Sequence, residues 1–127
     1  MVTEDYVSFE TSKLLKEKGF DEPVMYNFTP DGTKRKFQQP FYKDDVAQPT
    51  LQMALKWIRE QGFYINIDID VDYDEDERGT KWYYKPAWDW VVFRIDERKQ
   101  MSDDGALYAS YEQAAEAAIK YCLESLI

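Results

Sequence analysis

Residues 63–73 read FYINIDIDVDY, and no other stretch of the chain narrows the fold as far. Phe63, Ile65, Ile67, Ile69, Val71 and Tyr73 alternate with Tyr64, Asn66, Asp68, Asp70 and Asp72. Successive side chains of a strand point to opposite faces, so this period of two predicts a β-strand with one apolar and one charged face. A slip of one residue would drive three unpaired carboxylates into the interior, so the register is fixed by chemistry. Ile65, Ile67, Ile69 and Val71 are therefore expected on the core, with Asp68, Asp70 and Asp72 in water. A sheet with one apolar face needs another layer over it.

The helices that supply such a layer can be read from their ends. Ser8 precedes FETSKLLKEKG as an N-cap, Gly19 offers a left-handed stop, and Leu14 and Leu15 face inward. In PTLQMALKWIREQG, residues 49–62, Leu51, Ala54, Leu55 and Ile58 recur at i, i+3, i+4 and i+7, and Gly62 ends the pattern. Ser110 with Gln113 is a capping-box signature for a last helix, whose apolar stripe is Tyr111, Ala114, Ala115, Ala118, Cys122 and Leu126. VMYNF and FQQPFY, residues 24–28 and 37–42, flank TPDGTKRK as a predicted hairpin, with Pro40 marking an edge. After the turn DEDERG, residues 80–96 supply one bent strand or two short ones, broken at Pro86. Residues 97–105 read as a polar loop, and Ala106 to Ala109 as a short strand. The expected class is α+β, with about three helices packed on a mainly antiparallel sheet of four to five strands. The expected order is αββαββ(β)α, in a single domain over residues 1–127.

Composition narrows the functional classes. With 127 residues, 44% hydrophobic and 17% aromatic, the chain can bury one core without staples. Its apolar runs are short, whereas a membrane-spanning helix needs roughly 20 residues, so no membrane partner is expected. The start MVTEDYVSFE lacks the basic and apolar segments of a secretory signal, and the single Cys122 can form no internal disulfide. A cytoplasmic protein is the expectation. Seven acids lie in the ten positions 68–77; setting them aside from the 25 acids leaves 18 against 16 bases, so the net charge of -9 is mostly local. Duplex nucleic acid is disfavoured for want of a basic surface. Lys34, Arg35 and Lys36 form the only basic run and read as a solvated hairpin end.

The phrases SFETSKLLKEKGF, PTLQMALKWIRE, KWYY and SYEQAAEAAIKYCLESLI resemble those of a Bacteroides-type family of small proteins in gut bacterial genomes, often in prophage or other mobile-element surroundings. The resemblance implies a bacterial cytoplasmic origin and a shared fold. That family has no assigned activity, so no catalytic residue carries over. The acidic run from Asp68 to Glu77 is not among the resembling phrases.

Three readings of that run stay open: a solvated strand face, an acidic docking surface involving Asp68 and Asp70, and a cation site. An EF-hand loop begun at Asp68 would have Tyr73 where the turn glycine belongs and Gly79 in place of the closing glutamate. The candidate ligands that remain are Asp72, Asp74 and Asp76, in a low-affinity calcium-binding module over residues 68–77. No histidine occurs, and neither a GxxxxGK[ST] nor a GxGxxG loop is present, so no cofactor is implied. Asp89 or Asp96 buried beside tryptophan would be the remaining general acid, and Cys122 on an apolar stripe reads as core. The aromatic segment holding Trp82, Tyr83, Tyr84 and Trp88 has rings on both faces of a strand, which leaves two readings open, core packing alone or a surface for a protein partner or a homodimer. The expectation is a non-enzymatic accessory or regulatory interaction module, in one version a nucleic-acid mimic that fills a basic protein groove.

Overall fold

The computed structural model describes residues 2–36, 42–70, 73–83, 86–97, 99–103 and 105–127. Its three helices, α1 (Phe9–Glu17), α2 (Leu51–Glu60) and α3 (Tyr111–Ser125), share one starting device. Ser8, Thr50 and Ser110 each accept a hydrogen bond at 3.1 Å from the amide three residues on, at Thr11, Met53 and Gln113. Each cap satisfies an otherwise unpaired first-turn donor and stabilises by about 1 kcal/mol. At α3 the reciprocal half of the box differs from expectation. Gln113 Oε1 accepts from the Ala109 N–H at 3.2 Å, because the strand-like bridge between Tyr108 and Trp88 ends just before that amide.

Leu15 is fully buried and Leu14 packs at the core margin. Along α2 the predicted Leu51, Ala54, Leu55 and Ile58 are buried together with Trp57, whose ring meets Phe20 edge-on at 5.9 Å. The buried stripe of α3 is wider than expected and adds Ile119 and Leu123 to Ala114, Ala115, Ala118 and Cys122. This helix packs against α1 and α2 as well as the sheet beneath, so small alanines on its inner side allow close approach on several sides.

Eight strands complete the order: β1 (Tyr26–Phe28), β2 (Lys34–Lys36), β3 (Val46–Gln48), β4 (Phe63–Asp70), β5 (Tyr73–Glu75), β6 (Lys81–Tyr83), β7 (Ala87–Arg94) and β8 (Lys99–Ser102). The α+β class holds, but one sheet of four to five strands does not. Among the described residues there are three small antiparallel sheets, ordered β2-β1-β3, β4-β7-β8 and β5-β6. Strand β8 occupies the segment read as a loop, and β3 was not expected at all. Both are short edge strands, whose ladder hydrogen bonds come from a central neighbour and leave no long alternating pattern in sequence. Residues 106–109 contribute only the single bridge at Tyr108.

The first hairpin closes earlier than predicted. Asp31 Oδ1 accepts from the Thr33 N–H at 3.0 Å and from the Thr29 hydroxyl, drawing the loop tight so that pairing resumes at Lys34. Gly32, at φ +89°, lies where an added Cβ would come within 3.0 Å of the Phe9 ring, so the turn and α1 both require glycine. Residues 37–41, including Pro40, lie outside the described residues. The basic triplet is more than a solvated end. Arg35 pairs with the buried carboxylate of Asp45, which also accepts from Asn27 Nδ2 at 2.8 Å, while Lys34 Nζ stands 4.6 and 4.9 Å from the Tyr26 and Tyr6 ring centres.

The second sheet lays its inner face on α2 and α3. Phe63, Ile65, Ile67 and Ile69 stand directly opposite Arg94, Val92, Trp90 and Trp88 in the β4–β7 ladder. Phe63, Ile65, Val92 and Trp90 are buried in the same core as the helices. Asp68 and Asp70 face water as predicted. The expectation for Ile69 is overturned: it is 51% exposed, because the helical cover stops before the strand does. Ile67 is half-buried, and Val71 lies outside the described residues.

Candidate interaction surface

Strands β5 and β6 form a separate two-stranded ribbon. Tyr73 pairs with Tyr83, Asp74 with Trp82 and Glu75 with Lys81. Between this ribbon and the last β4–β7 pair, Asp70 with Ala87, two residues intervene on one side and three on the other. Among the described residues, β5 and β6 make extensive contacts only with each other. A two-stranded hairpin alone is marginally stable, so its turn must be well built.

Asp76 builds it. Its backbone N–H donates to the Thr80 carbonyl at 3.0 Å and its carbonyl accepts from the Gly79 N–H at 3.0 Å. Its carboxylate accepts at 2.9 Å from the N–H groups of both Thr80 and Arg78, and the Trp82 side chain adds a further bond. These bonds, led by that of Thr80, hold the Asp76 carboxyl below the ordinary aspartate range. Gly79, at φ +81°, supplies the left-handed residue the turn requires. Glu75 opposite Lys81 adds an opposite-charge cross-strand pair. Asp74, Glu75, Asp76 and Glu77 are all exposed, and the Trp82 ring is exposed as well, at 63%.

The sequence-predicted residues are therefore divided. Asp74, Asp76 and Trp82 come together on the ribbon, and Asp68 and Asp70 continue the acidic surface along the outer face of β4. Asp68 accepts from Asn66 Nδ2 at 2.8 Å and stands directly across from Asp89. Like charges in that position weaken the pair modestly and discourage a further strand from adding there. Asp89 thus faces away from the side that carries Trp88 and Trp90, and Asp96 is exposed in the following turn, so neither is buried beside a tryptophan. Trp88 does not belong to an open aromatic surface. It is half-buried, meets Tyr111 edge-on at 5.8 Å and bridges through its backbone to Tyr108. The Tyr83 side chain and the whole of Asp72 and Tyr84 lie outside the described residues.

Among the described residues no three acids or other ligating side chains gather into a group able to hold a metal ion. Asp74 and Asp76 are on the same strand end, but the Asp76 carboxylate is already committed to the turn. Cys122 is fully buried, and desolvation pushes its thiol up to about 12, which leaves no thiolate at neutral pH. Among the described residues no helix is long and apolar enough to cross a membrane. The exposure of Ile69 was missed by pattern reasoning, since alternation tells which face a side chain takes and not how far the helical cover extends. Comparison with protein-family models, with curated proteins and with solved structures finds no match for this chain.

Proposed function

We propose that the chain is a non-enzymatic accessory module of the cytoplasm that binds a protein partner through its projecting ribbon. The observation that carries this reading is that, among the described residues, β5 and β6 pair with each other and with little else, while presenting Trp82 beside a row of carboxylates. Residues 68–83 hold seven acids and two bases, a local charge of -5 out of -9. Such a field steers a basic surface into contact, and an exposed indole supplies the desolvated anchor that charge alone lacks. A second copy is a poor occupant, since it would bring an identical negative ribbon against the first.

The test is affinity capture with the intact protein, followed by purification of the captured protein and measurement of direct binding. The expected partner carries a basic surface, binds less tightly as ionic strength rises, and loses roughly tenfold or more in affinity with Trp82→Ser. Binding unchanged by Trp82→Ser and by Glu75→Gln with Glu77→Gln would exclude the ribbon as the docking element.

A further inference from the structure

A second surface lies between the N-terminal segment and the starts of α2 and α3. Two depressions of about 560 and 270 Å3 share Asp5, Leu51 and Glu112 in their walls, and so form one continuous groove. Its origin is local. The Asp5 carbonyl accepts from the Leu51 N–H at 2.9 Å, and the Ser8 N–H donates to Glu116 Oε1 at 2.9 Å, so the N-terminal segment is strapped to α2 at one point and to α3 at another. Ala117, on the α3 side, is too small to fill the space between the straps.

The charge of the groove is unbalanced. Glu10 is taken by Lys120 at 2.9 Å, the one cation among the described residues of the lining, and Glu116 by the Ser8 amide. Asp5 and Glu112, in the shared section, are exposed and have side chains with no hydrogen bond or ion pair among the described residues. In the larger depression the lining beyond them is mainly apolar, from Ala117 and the rings of Tyr6 and Tyr108, while the smaller one adds Tyr111 among the polar Thr3, Glu4 and Gln52. Apolar surface carrying unneutralised carboxylates complements a long cationic side chain, whose methylene stem packs while its head group meets the acids.

We infer that this groove binds a lysine- or arginine-bearing amphipathic segment of a partner protein, with the cationic head held by Asp5 and Glu112. The net charge of -9 argues against a second copy of this chain as the occupant. The groove is separate from the ribbon and does not depend on the role given to it.

A short synthetic peptide alternating leucine and lysine is the probe, with a leucine–glutamate peptide as its counterpart. Amide shifts of the isotopically labelled protein are followed by NMR and affinities by fluorescence anisotropy. The lysine peptide is expected to shift Asp5, Leu51, Glu112 and Ala117, and the double variant Asp5→Asn, Glu112→Gln to weaken it roughly tenfold. Both positions are exposed, so the variant should keep the parent urea midpoint, which is measured alongside. Glu75→Gln with Glu77→Gln should change the affinity less than about twofold. Equal binding of the glutamate peptide, unchanged affinity in the double variant, or shifts confined to residues 68–83 would each overturn the groove assignment. The last of these would leave the ribbon standing as a general attractor of cations.

Discussion

The base and the tip of the β4–β7 ladder share a sequence pattern and differ in what surrounds them. At the base, Ile65 and Val92 face each other under α2 and α3, and both are buried. Toward the tip, Ile69 and Trp88 face each other in the same register, yet Ile69 is half in water and Trp88 is only partly covered by Tyr111. Farther out, β5 and β6 have no layer against them among the described residues. Alternation decides which way a side chain points, while helix length decides whether anything lies there to meet it. The base is thus the part of the ladder that holds the fold, and the β5–β6 ribbon is held mainly by its own turn.

Charge and cavity substitutions should separate the two ends most strongly. Ile65→Asp buries an unpaired carboxylate and is expected to abolish cooperative folding, whereas Ile69→Asp should shift the urea-derived stability by less than about 1 kcal/mol. Similar losses from both would mean that the core reaches the tip. Next in size are the tryptophans. Trp90→Ala removes a ring that is 2% exposed and packed on Tyr121, and should cost about 3–5 kcal/mol. Trp82→Ala should stay within about 0.5 kcal/mol by the same urea titration.

How far these contrasts could be read in the sequence depends on the element. The caps at Ser8 and Ser110, the inward faces of α1, α2 and α3, and the outward Asp68 and Asp70 all follow from local rules that one segment satisfies by itself. Trp82, Trp88 and Trp90 look alike in sequence. Their fates diverge because Tyr111 and Tyr121 on α3 cover two of them, and that contact is set by how helices dock rather than by any spacing within the strand. Strands β3 and β8 were illegible for a related reason, since a short edge strand is specified by its neighbour's free backbone groups. At the candidate site, the acids were plain to see. The commitment of the Asp76 carboxylate to Arg78, Thr80 and Trp82 was not, because it depends on the turn closing around it.

A smaller effect sharpens the comparison through pH. The Asp76 carboxyl is held below its unfolded value, so its contribution to the turn is fully present above the ordinary aspartate range and is lost as pH falls through the lower folded value. Acidification across that window should perturb the amide resonances of Arg78 and Thr80 before those of Ile65 and Val92. Asp76→Asn should remove the titration from the Arg78 and Thr80 signals while leaving the global urea midpoint unchanged.

Native-state hydrogen exchange resolved by residue tests most directly the claim that the ribbon stands apart from the body. Amides of the β4–β7 base, residues 63–67 and 90–94, should exchange only through global unfolding, and their rates should follow the stability lost or gained by core variants. The Asp76 and Gly79 amides, though hydrogen-bonded in the turn, should exchange at least roughly a hundredfold faster and be indifferent to those variants. Equal protection at base and ribbon, falling together in a destabilised variant, would contradict the account by showing that the ribbon is part of the same cooperative core.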